Sequence, residues 1–494
     1  MRAMKRILFL FLFFLINVWF NLYSQPKTEM RAVWLTTNYS LDWPNKPFRN
    51  TYEINDQQEE LIDILDKLKA ANFNIVFLQT RLRGDVIYNS KIEPVSSHIA
   101  AVKNTWSNYD PLAFAIEECH KRGLECHAWF VAYPLGVDKK KGKGNDSPTV
   151  KKNKDQVRKH AGELYLDPGD PKTSEYLLSL VKEMVTNYDI DGFHMDYIRY
   201  PDKATESYDE VTYKKYGKGK NLNEWRRGNI NQFVYSVYDT IKAIKPWVQV
   251  SSSVIGMYDK IPNNNQKHWT AYNSVYQDPE NWLKNGKHDF IVPMMYYAND
   301  LFYPFIADWL KRSYGRPVVP GLGLYQLDEK EANWTSNQIT DQIQYSRDKN
   351  TGGNAFYRAR YLMNNKKDIT NKIIKDHYCH PALIPAMTWI DSIPPRSPGR
   401  PDANIMGDYI YLNWKYIKRD RKEVFFNVYR SETPIDIRDP KNLLATRLDD
   451  SALFTPYDKD EPSGYYYLVT SYDRYHNESE GSESIFFVTG IEEK

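Results

Sequence analysis

A carboxylate, two tyrosines and an arginine end an apolar stretch at residues 191–201, which reads DGFHMDYIRYP. Side chains alternate along an extended strand, so His194 and Asp196 share one face, whereas Asp191 stands at the start of the strand beside a glycine. Asp191 is therefore interpreted as part of a structural entry turn, and Asp196 as a catalytic carboxylate. The alternative is that Asp196 only orients Arg199 or a tyrosine.

Eight apolar runs rich in β-branched residues recur along the chain, and amphipathic helical stretches separate them. The runs cover residues 30–37, 74–81, 125–134, 191–201, 248–256, 289–297, 317–325 and 352–360. Between the first two, apolar residues at helical spacing form one stripe: Leu61, Ile64, Leu65 and Leu68. Eight strands, each followed by a helix, predict an α/β fold, a (β/α)8 TIM barrel. A doubly wound open sheet gives a similar pattern, but the count of eight favours closure.

The ends of these predicted strands carry polar and aromatic residues and several arginines. In a closed barrel the C-terminal ends of the strands form the active site. A site that cleaves sugars needs carboxylates, rings that stack on sugars and donors for hydroxyl or anionic groups. The substrate-binding residues predicted there are Arg81, Asp85, His127, Trp129, Tyr197, Arg199, Tyr296, Tyr297 and Arg358.

Five longer segments carry a family resemblance: MRAVWLTTNYSLDWP, LQTRLRGDVIY, HAWF, LDPGDPKTSEYLLSLVKEMVTNYDIDGFHMDYIRYP and YQDPENWLKNGKHDFIVPMMYY. They resemble the bacterial glycosyl-hydrolase-like ten family, and the similarity runs from about Met30 to about Tyr378. The resemblance implies a secreted or envelope glycoside hydrolase on a TIM barrel. A characterised member of that family cleaves denuded peptidoglycan, the glycan strands from which amidases have removed the stem peptides.

The chain departs from related patterns at the catalytic segment. Many members of the resembled family carry a second Asp directly after the first, where this chain has Tyr197. The partner of Asp196 must then come from elsewhere, and the candidates are Asp278, Asp85 and Asp42. Asp278 is preferred because it precedes a tryptophan-bearing segment that leads into the sixth strand. Chitinase-like barrels carry a proton-donating Glu where this chain has isoleucine, so chemistry through an acetamido group is poorly supported.

The remaining parts of the chain predict export and a second domain. Residues 1–24 contain basic residues, an apolar run and a short polar end, the order of a secretory signal; a retained signal anchor is the alternative. The barrel is assigned to residues 25–391 and a proline-rich linker to 392–402. Short alternating strands in residues 403–494 resemble a fibronectin type III β-sandwich, to which we assign a spacer or docking role.

Charge and composition bear on the substrate. A net charge of +3 argues against a dedicated nucleic-acid binder, whereas 15% aromatic residues suit carbohydrate recognition. Residues 138–160 form a basic insertion with a balance of 9 − 3 = +6, which we expect to overhang the active site and to be a solvated loop over most of its length. This insertion and four arginines at or near the strand ends predict a preference for anionic glycans. The arginines are Arg81, Arg83, Arg199 and Arg358. The alternative is that these arginines are paired with loop acids.

These observations predict an exported glycoside hydrolase, periplasmic or secreted, that uses Asp196 and Asp278 without a metal or cofactor. Denuded peptidoglycan glycan strands are the favoured substrate, and neither nucleic acid nor a membrane span in the mature protein is expected. Two alternatives stay open. One is a glycan-binding barrel protein without catalysis, and the other is a metal-dependent deacetylase using His127, His194 and Asp196, which lacks the close histidine pair usual in such sites.

Overall fold

The computed structural model describes residues 25–101, 109–138, 147–262, 269–417, 423–458 and 464–489. The predicted export signal at residues 1–24 lies outside these ranges. No helix in the described part of the chain is both long enough and apolar enough to cross a membrane.

The centre of the molecule is a closed barrel of eight parallel strands. The strands of this part of the chain are β1 (Met30–Leu35), β2 (Ile75–Arg81), β3 (Glu125–Val131), β4 (Pro134–Val137), β5 (Val157–His160), β6 (Glu163–Leu166), β7 (Gly192–Asp196), β8 (Gln249–Ile255), β9 (Phe290–Met294), β10 (Gly321–Gly323) and β11 (Gly353–Tyr357). Around the barrel they run in the order β1-β2-β3-β7-β8-β9-β10-β11, and β11 pairs with β1. The predicted eight-stranded barrel is therefore confirmed, and each predicted run contains one barrel strand.

Helices surround the barrel. They are α1 (Thr51–Ala70), α2 (Pro111–Lys121), α3 (Pro148–Lys152), α4 (Pro171–Asn187), α5 (Glu210–Tyr216), α6 (Leu222–Ile244), α7 (Ala271–Ser274), α8 (Pro279–Lys284), α9 (Asn299–Lys311), α10 (Ser336–Asp348), α11 (Ala359–Met363) and α12 (Ile369–Asp376). Helix α1 buries the predicted stripe of leucines and isoleucine against the barrel. The side chains of Asn50, Asp110 and Asp170 accept hydrogen bonds from the first turns of α1, α2 and α4, which fixes where these helices begin.

Aromatic rings fill the interior of the barrel. Phe77 stacks on His194 with ring centroids 4.0 Å apart, and Trp34 and Phe290 lie beside Phe77 at 5.4 and 6.4 Å. A Cβ at Gly192 would lie 2.2 Å from the ring of His127, so the glycine of the DGFHMD stretch makes room for that ring. The barrel is thus a packed core, and any cavity must lie at its ends.

The described residues 147–160 of the basic insertion fold beside the barrel mouth, where the hydroxyl of Thr149 donates to the carbonyl of Gly84 in the loop after β2. Strand β6 pairs antiparallel with β4 on one side and with β5 on the other, and we call this three-stranded sheet the insertion sheet. Helix α3 lies between β4 and β5 along the chain. The expectation of a loop was wrong for the described residues 147–160, because they form helix α3 and strand β5, and β5 pairs with β6. Residues 139–146 of the insertion lie outside the described part.

The C-terminal region is built from two antiparallel sheets. Its strands are β12 (Asp402–Met406), β13 (Tyr409–Asn413), β14 (Val424–Ser431), β15 (Leu443–Leu448), β16 (Ala452–Pro456), β17 (Gly464–Asp473) and β18 (Ile485–Val488). One sheet has the order β12-β13-β16 and the other β15-β14-β17-β18. Trp414, Phe426 and Val469 lie in the hydrophobic core of this region.

Buried charges join this C-terminal region to the N-terminal ends of the barrel strands. The guanidinium of Arg447 contacts the carboxylate of Asp191, and Nε2 of His476 lies 2.6 Å from Glu125 at the start of β3. Burial alone would raise the pKa of Asp191, but the positive charges of Arg447 and His120 hold it well below its usual value. Asp191 is thus part of a domain contact, at the end of the barrel opposite to the C-terminal strand ends.

Candidate active site

A cleft opens at the C-terminal ends of the barrel strands. It has a volume of about 950 Å³, which includes the open space at its mouth. Its walls come from the ends of β1, β2, β3, β7, β9 and β11 and from the insertion sheet, so most of the barrel contributes. Of the predicted site residues, the cleft brings together Trp129, Asp196, Tyr197 and Tyr296.

Asp196 is the last residue of β7 and lies in the wall of this cleft with 6% of its surface exposed. One carboxylate oxygen accepts a hydrogen bond from Nε1 of Trp129 at 3.1 Å, and the other accepts from the backbone N–H of Tyr197 at 2.7 Å. Burial raises the pKa of Asp196, against the opposing charge of Arg199 and these two hydrogen bonds. A fixed carboxyl that keeps its proton to higher pH is suited to general-acid catalysis.

A second carboxylate, Glu163, lines the same cleft and was missed by the sequence analysis. It is the first residue of β6, so the insertion sheet carries it to the barrel mouth. Its Oε1 accepts a hydrogen bond from Arg83 at 2.9 Å, and its Oε2 accepts from the hydroxyl of Tyr165 at 2.7 Å. Within the described residues, Asp196 and Glu163 are the carboxylates of the cleft wall.

Tyrosine rings form the opposite wall of the cleft. Tyr296 lies 5.7 Å from Tyr357 in a stacked arrangement and 5.6 Å from Tyr325 in an edge-to-face arrangement, measured between ring centroids. These rings come from the ends of β9, β10 and β11, where the chain leaves the barrel. Such a wall offers apolar faces and hydroxyl groups to a sugar ring.

The cleft continues into a second lobe, which shares Tyr296 and Tyr325 with the first and is further lined by Tyr297 and Trp269. Trp269 is 42% exposed, which is unusual for so large a ring. Arg199 contacts one ring of each lobe: its guanidinium carbon lies 4.6 Å from the ring centroid of Tyr197 in the first lobe and 5.8 Å from that of Trp269 in the second. The second lobe therefore combines aromatic faces with a positive charge at its edge.

The other predicted arginines are engaged in ion pairs. Arg81 is fully buried, donates to Glu93 at 2.7 Å and also binds main-chain carbonyls, so the structure does not place it in the cleft. Arg358 contacts Asp42 at 3.1 Å. Arg199 forms no ion pair with a carboxylate of the described residues. Pairing with loop acids, the alternative considered from the sequence, holds for Arg81 and Arg358, whereas Arg83 lines the cleft and pairs with Glu163 of strand β6.

The predicted histidine and Asp85 also lie outside the cleft wall. His127 is buried inside the barrel, where its Nε2 lies 2.9 Å from Glu125. Burial raises the pKa of Asp85 to about 6, and its carboxylate faces the backbone of its own loop, 3.4 Å from the N–H of Arg83. The ring nitrogens of His194 lie 2.8 Å from the hydroxyl oxygens of Ser251 and Ser253, and its Nε2 lies 3.1 Å from Nε1 of Trp34.

These positions bear on the deacetylase alternative. His127, His194 and Asp196 do not converge, and the described residues contain no group of three or more His, Cys, Asp or Glu side chains that could hold a metal ion. The ligand set on which that alternative depends is therefore not formed by these residues.

The two remaining candidates for the second carboxylate have structural contacts. Asp278 caps helix α8: its side chain accepts from the N–H of Asn281, and it also accepts from the hydroxyl of Tyr258 at 2.9 Å. Asp42 is buried and accepts from Arg358 and from the N–H of Thr36. Neither lines the cleft, so the structure does not bring the predicted pair of Asp196 and Asp278 together there.

The fold and the cleft define a TIM-barrel protein with the carboxylates and aromatic walls that glycoside hydrolases use. The chain belongs to the family described as Glycosyl hydrolase-like 10, whose model matches residues 29–313. The family resemblance inferred from the sequence is thereby confirmed.

Two relatives and one solved structure are similar to this chain. It is 32% identical to "Glycosyl hydrolase YngK" of Bacillus subtilis (strain 168), over 95% of this chain and 96% of that protein. It is 30% identical to "Glycosyl hydrolase DigH" of Escherichia coli (strain K12), over 69% of this chain and 85% of that protein. The PgaB glycoside hydrolase domain from Bordetella bronchiseptica aligns over 71% of this chain and 99% of that domain, with a TM-score of 0.48 and 13% identity.

Proposed function

We propose that this protein is an exported glycoside hydrolase that cleaves glycosidic bonds of a polysaccharide in the cleft at the barrel mouth. The observation that carries the proposal is the buried carboxyl of Asp196, fixed by Trp129 and the Tyr197 backbone and facing a wall of tyrosine rings. Family membership supports the reaction class.

In this proposal Asp196 donates a proton to the oxygen of the leaving sugar. Burial raises its pKa, so the carboxyl carries a proton over a wider pH range than an exposed aspartic acid. Trp129 holds one carboxylate oxygen and the Tyr197 N–H holds the other, so the group keeps one orientation during the reaction. The aromatic wall positions the sugar rings on either side of the bond.

The proposed substrate is a denuded peptidoglycan glycan strand, which carries a free lactyl carboxylate on every second sugar. Arg199 supports this assignment because its guanidinium contacts a ring of each lobe and forms no ion pair with a carboxylate of the described residues, although its charge is felt by Asp196. A guanidinium with free donors binds a carboxylate well. The described residues 147–160 of the basic insertion hold five Lys or Arg against one Asp and add positive charge on the same face.

We expect cleavage of denuded glycan strands to be faster than cleavage of neutral chitin oligomers of matched length, by about tenfold at low salt. The difference should shrink as ionic strength rises, because salt screens the attraction between Arg199, the basic insertion and the anionic strand. Release of reducing ends measures both rates.

The matched variants for this experiment are Arg199→Gln and Arg430→Gln. Arg430 is also partly buried and lies 4.8 Å from the ring centroid of Tyr465, but it belongs to the C-terminal region. We expect Arg199→Gln to remove most of the preference for the anionic strand and Arg430→Gln to leave it unchanged. Equal rates on both substrates, independent of salt, would contradict the assignment of the substrate.

The second candidate function is glycan binding without catalysis. The observation that favours it is Tyr197, which stands where many family members carry a second Asp. A binding protein would retain glycan strands and release no reducing ends, so the same experiment distinguishes the two functions.

The C-terminal region is proposed to be a fibronectin type III-like module that stabilises the barrel and takes no part in the reaction. The order of its strands, three in one sheet and four in the other, supports this assignment. It contacts the end of the barrel that is opposite to the cleft. Export through the segment at residues 1–24 remains a prediction from the sequence.

A further inference from the structure

Glu163 and Asp196 face the same cleft from different parts of the chain. Asp196 ends barrel strand β7, whereas Glu163 begins strand β6 of the insertion sheet. The side chain of Glu163 is 34% exposed, so a substrate in the cleft can reach it. Tyr197 is within electrostatic reach of both carboxylates: after burial, the charge of Asp196 and then that of Glu163 raise the pKa of its hydroxyl.

The surroundings of the two carboxylates differ. Burial raises the pKa of Asp196. Burial of Glu163 acts in the same direction, but the hydrogen bond from Tyr165 and the charge of Arg83 outweigh it, so the pKa of Glu163 is lowered. One carboxyl is thereby adapted to hold a proton and the other to stay ionised, which is the division of roles found in pairs of catalytic carboxylates.

We propose that Glu163 is the second catalytic carboxylate and acts as the general base that activates the attacking water. This inference rests on the proposed glycoside hydrolase function and assigns the partner of Asp196. The candidates Asp278, Asp85 and Asp42 are engaged elsewhere and do not line the cleft. Arg83 and Tyr165 act as positioning residues that fix the carboxylate of Glu163.

The bond between the anomeric carbon and the glycosidic oxygen breaks, and that oxygen takes the proton of Asp196. The oxygen of water bonds to the anomeric carbon, and a proton of the same water passes to Glu163. Proton exchange with solvent then returns Asp196 to its protonated and Glu163 to its ionised form.

The test compares Glu163→Ala and Glu163→Gln with the matched control Glu280→Gln. Glu280 also pairs with an arginine, Arg312, and its side chain is 28% exposed, but it lies on α8 outside the cleft wall. We expect kcat to fall by roughly a hundredfold or more in both Glu163 variants and by less than about twofold in Glu280→Gln. Thermal unfolding checks that each variant is folded.

Chemical rescue separates a catalytic from a structural role. Azide replaces the activated water in the small space left by Glu163→Ala, so we expect azide to restore turnover and to yield a glycosyl azide. A variant that keeps more than about a tenth of the parent kcat, or a loss that azide does not reverse, would overturn the proposal. The parent protein is measured in parallel. If the parent releases no sugar, the proposed function is wrong. If both the parent and the Glu163 variants are active, only the role of Glu163 is wrong.

Discussion

Replacing Asp196 by asparagine is expected to lower kcat by about a thousandfold or more, which corresponds to roughly 4 kcal/mol in the activation barrier. The amide has the shape of the carboxyl group, and its one oxygen can accept from Trp129 or from the N–H of Tyr197 but not from both, so the variant loses one hydrogen bond and should still fold. It has no acidic proton to give to the leaving sugar. Steady-state release of reducing ends, together with thermal unfolding of the variant, measures the two effects separately.

Asp278→Asn is the matched control, because it makes the same change at the other carboxylate that the sequence favoured. Asparagine caps a helix about as well as aspartate, so α8 should keep its first turn. We expect activity within about twofold of the parent, since Asp278 does not line the cleft. If Asp278→Asn abolished turnover in a folded protein, or if Asp196→Asn kept more than about a tenth of it, the assignment of the acid would be wrong.

The second large effect is expected at the contact between the barrel and the C-terminal region. Arg447→Leu leaves the buried carboxylate of Asp191 without its closest cation, which should lower the free energy of unfolding by about 3 to 5 kcal/mol. Chemical denaturation measures this loss. A chain that ends at residue 391 lacks both Arg447 and His476, so we expect it to be still less stable than the point variant.

Arg438→Leu is the control for that experiment. Arg438 also pairs with an aspartate, Asp436, but both groups are on the surface, where water already solvates the charges. We expect its unfolding midpoint to stay close to that of the parent. An Arg447→Leu variant that unfolds like the parent would show that the C-terminal region is a spacer, as the sequence suggested, and that it does not stabilise the barrel.

The barrel could be predicted from the sequence because regular hydrophobic patterns encode its strands and helices. Each barrel strand is an apolar run, and the helices between them carry stripes at helical spacing, such as that of Leu61 and Leu65. Asp196 was found for the same reason: it occupies the end of a strand, and all strand ends of a parallel barrel meet at one face.

The proposed partner of Asp196 was not predictable in this way. Glu163 lies in a four-residue strand that directly follows the basic insertion, and so short a strand carries no periodic pattern that would fix the direction of a side chain. Asp278 was preferred instead, although Asp278-Pro279 repeats the Asp-Pro arrangement that begins α2 at Asp110. That arrangement is a helix-capping signal and could have excluded it.

The arginines show a similar limit. Arg81 is at the end of a barrel strand, as the sequence predicted. Its buried partner Glu93 comes from the loop that follows, and the sequence does not show which acid an arginine will pair with. Ion pairs depend on how loops fold back, so only the three-dimensional structure shows that Arg199 contacts the rings of Tyr197 and Trp269 and forms no ion pair within the described residues.

The most direct test of hydrolysis is cleavage of amidase-treated peptidoglycan in water enriched in oxygen-18, followed by mass spectrometry of the fragments. If the cleft activates water, every new reducing end carries one heavy oxygen, and Asp196→Asn yields almost none of these fragments. Fragments with an intramolecular anhydro end and no heavy oxygen, or the absence of any fragment, would contradict the assignment of this protein as a glycoside hydrolase.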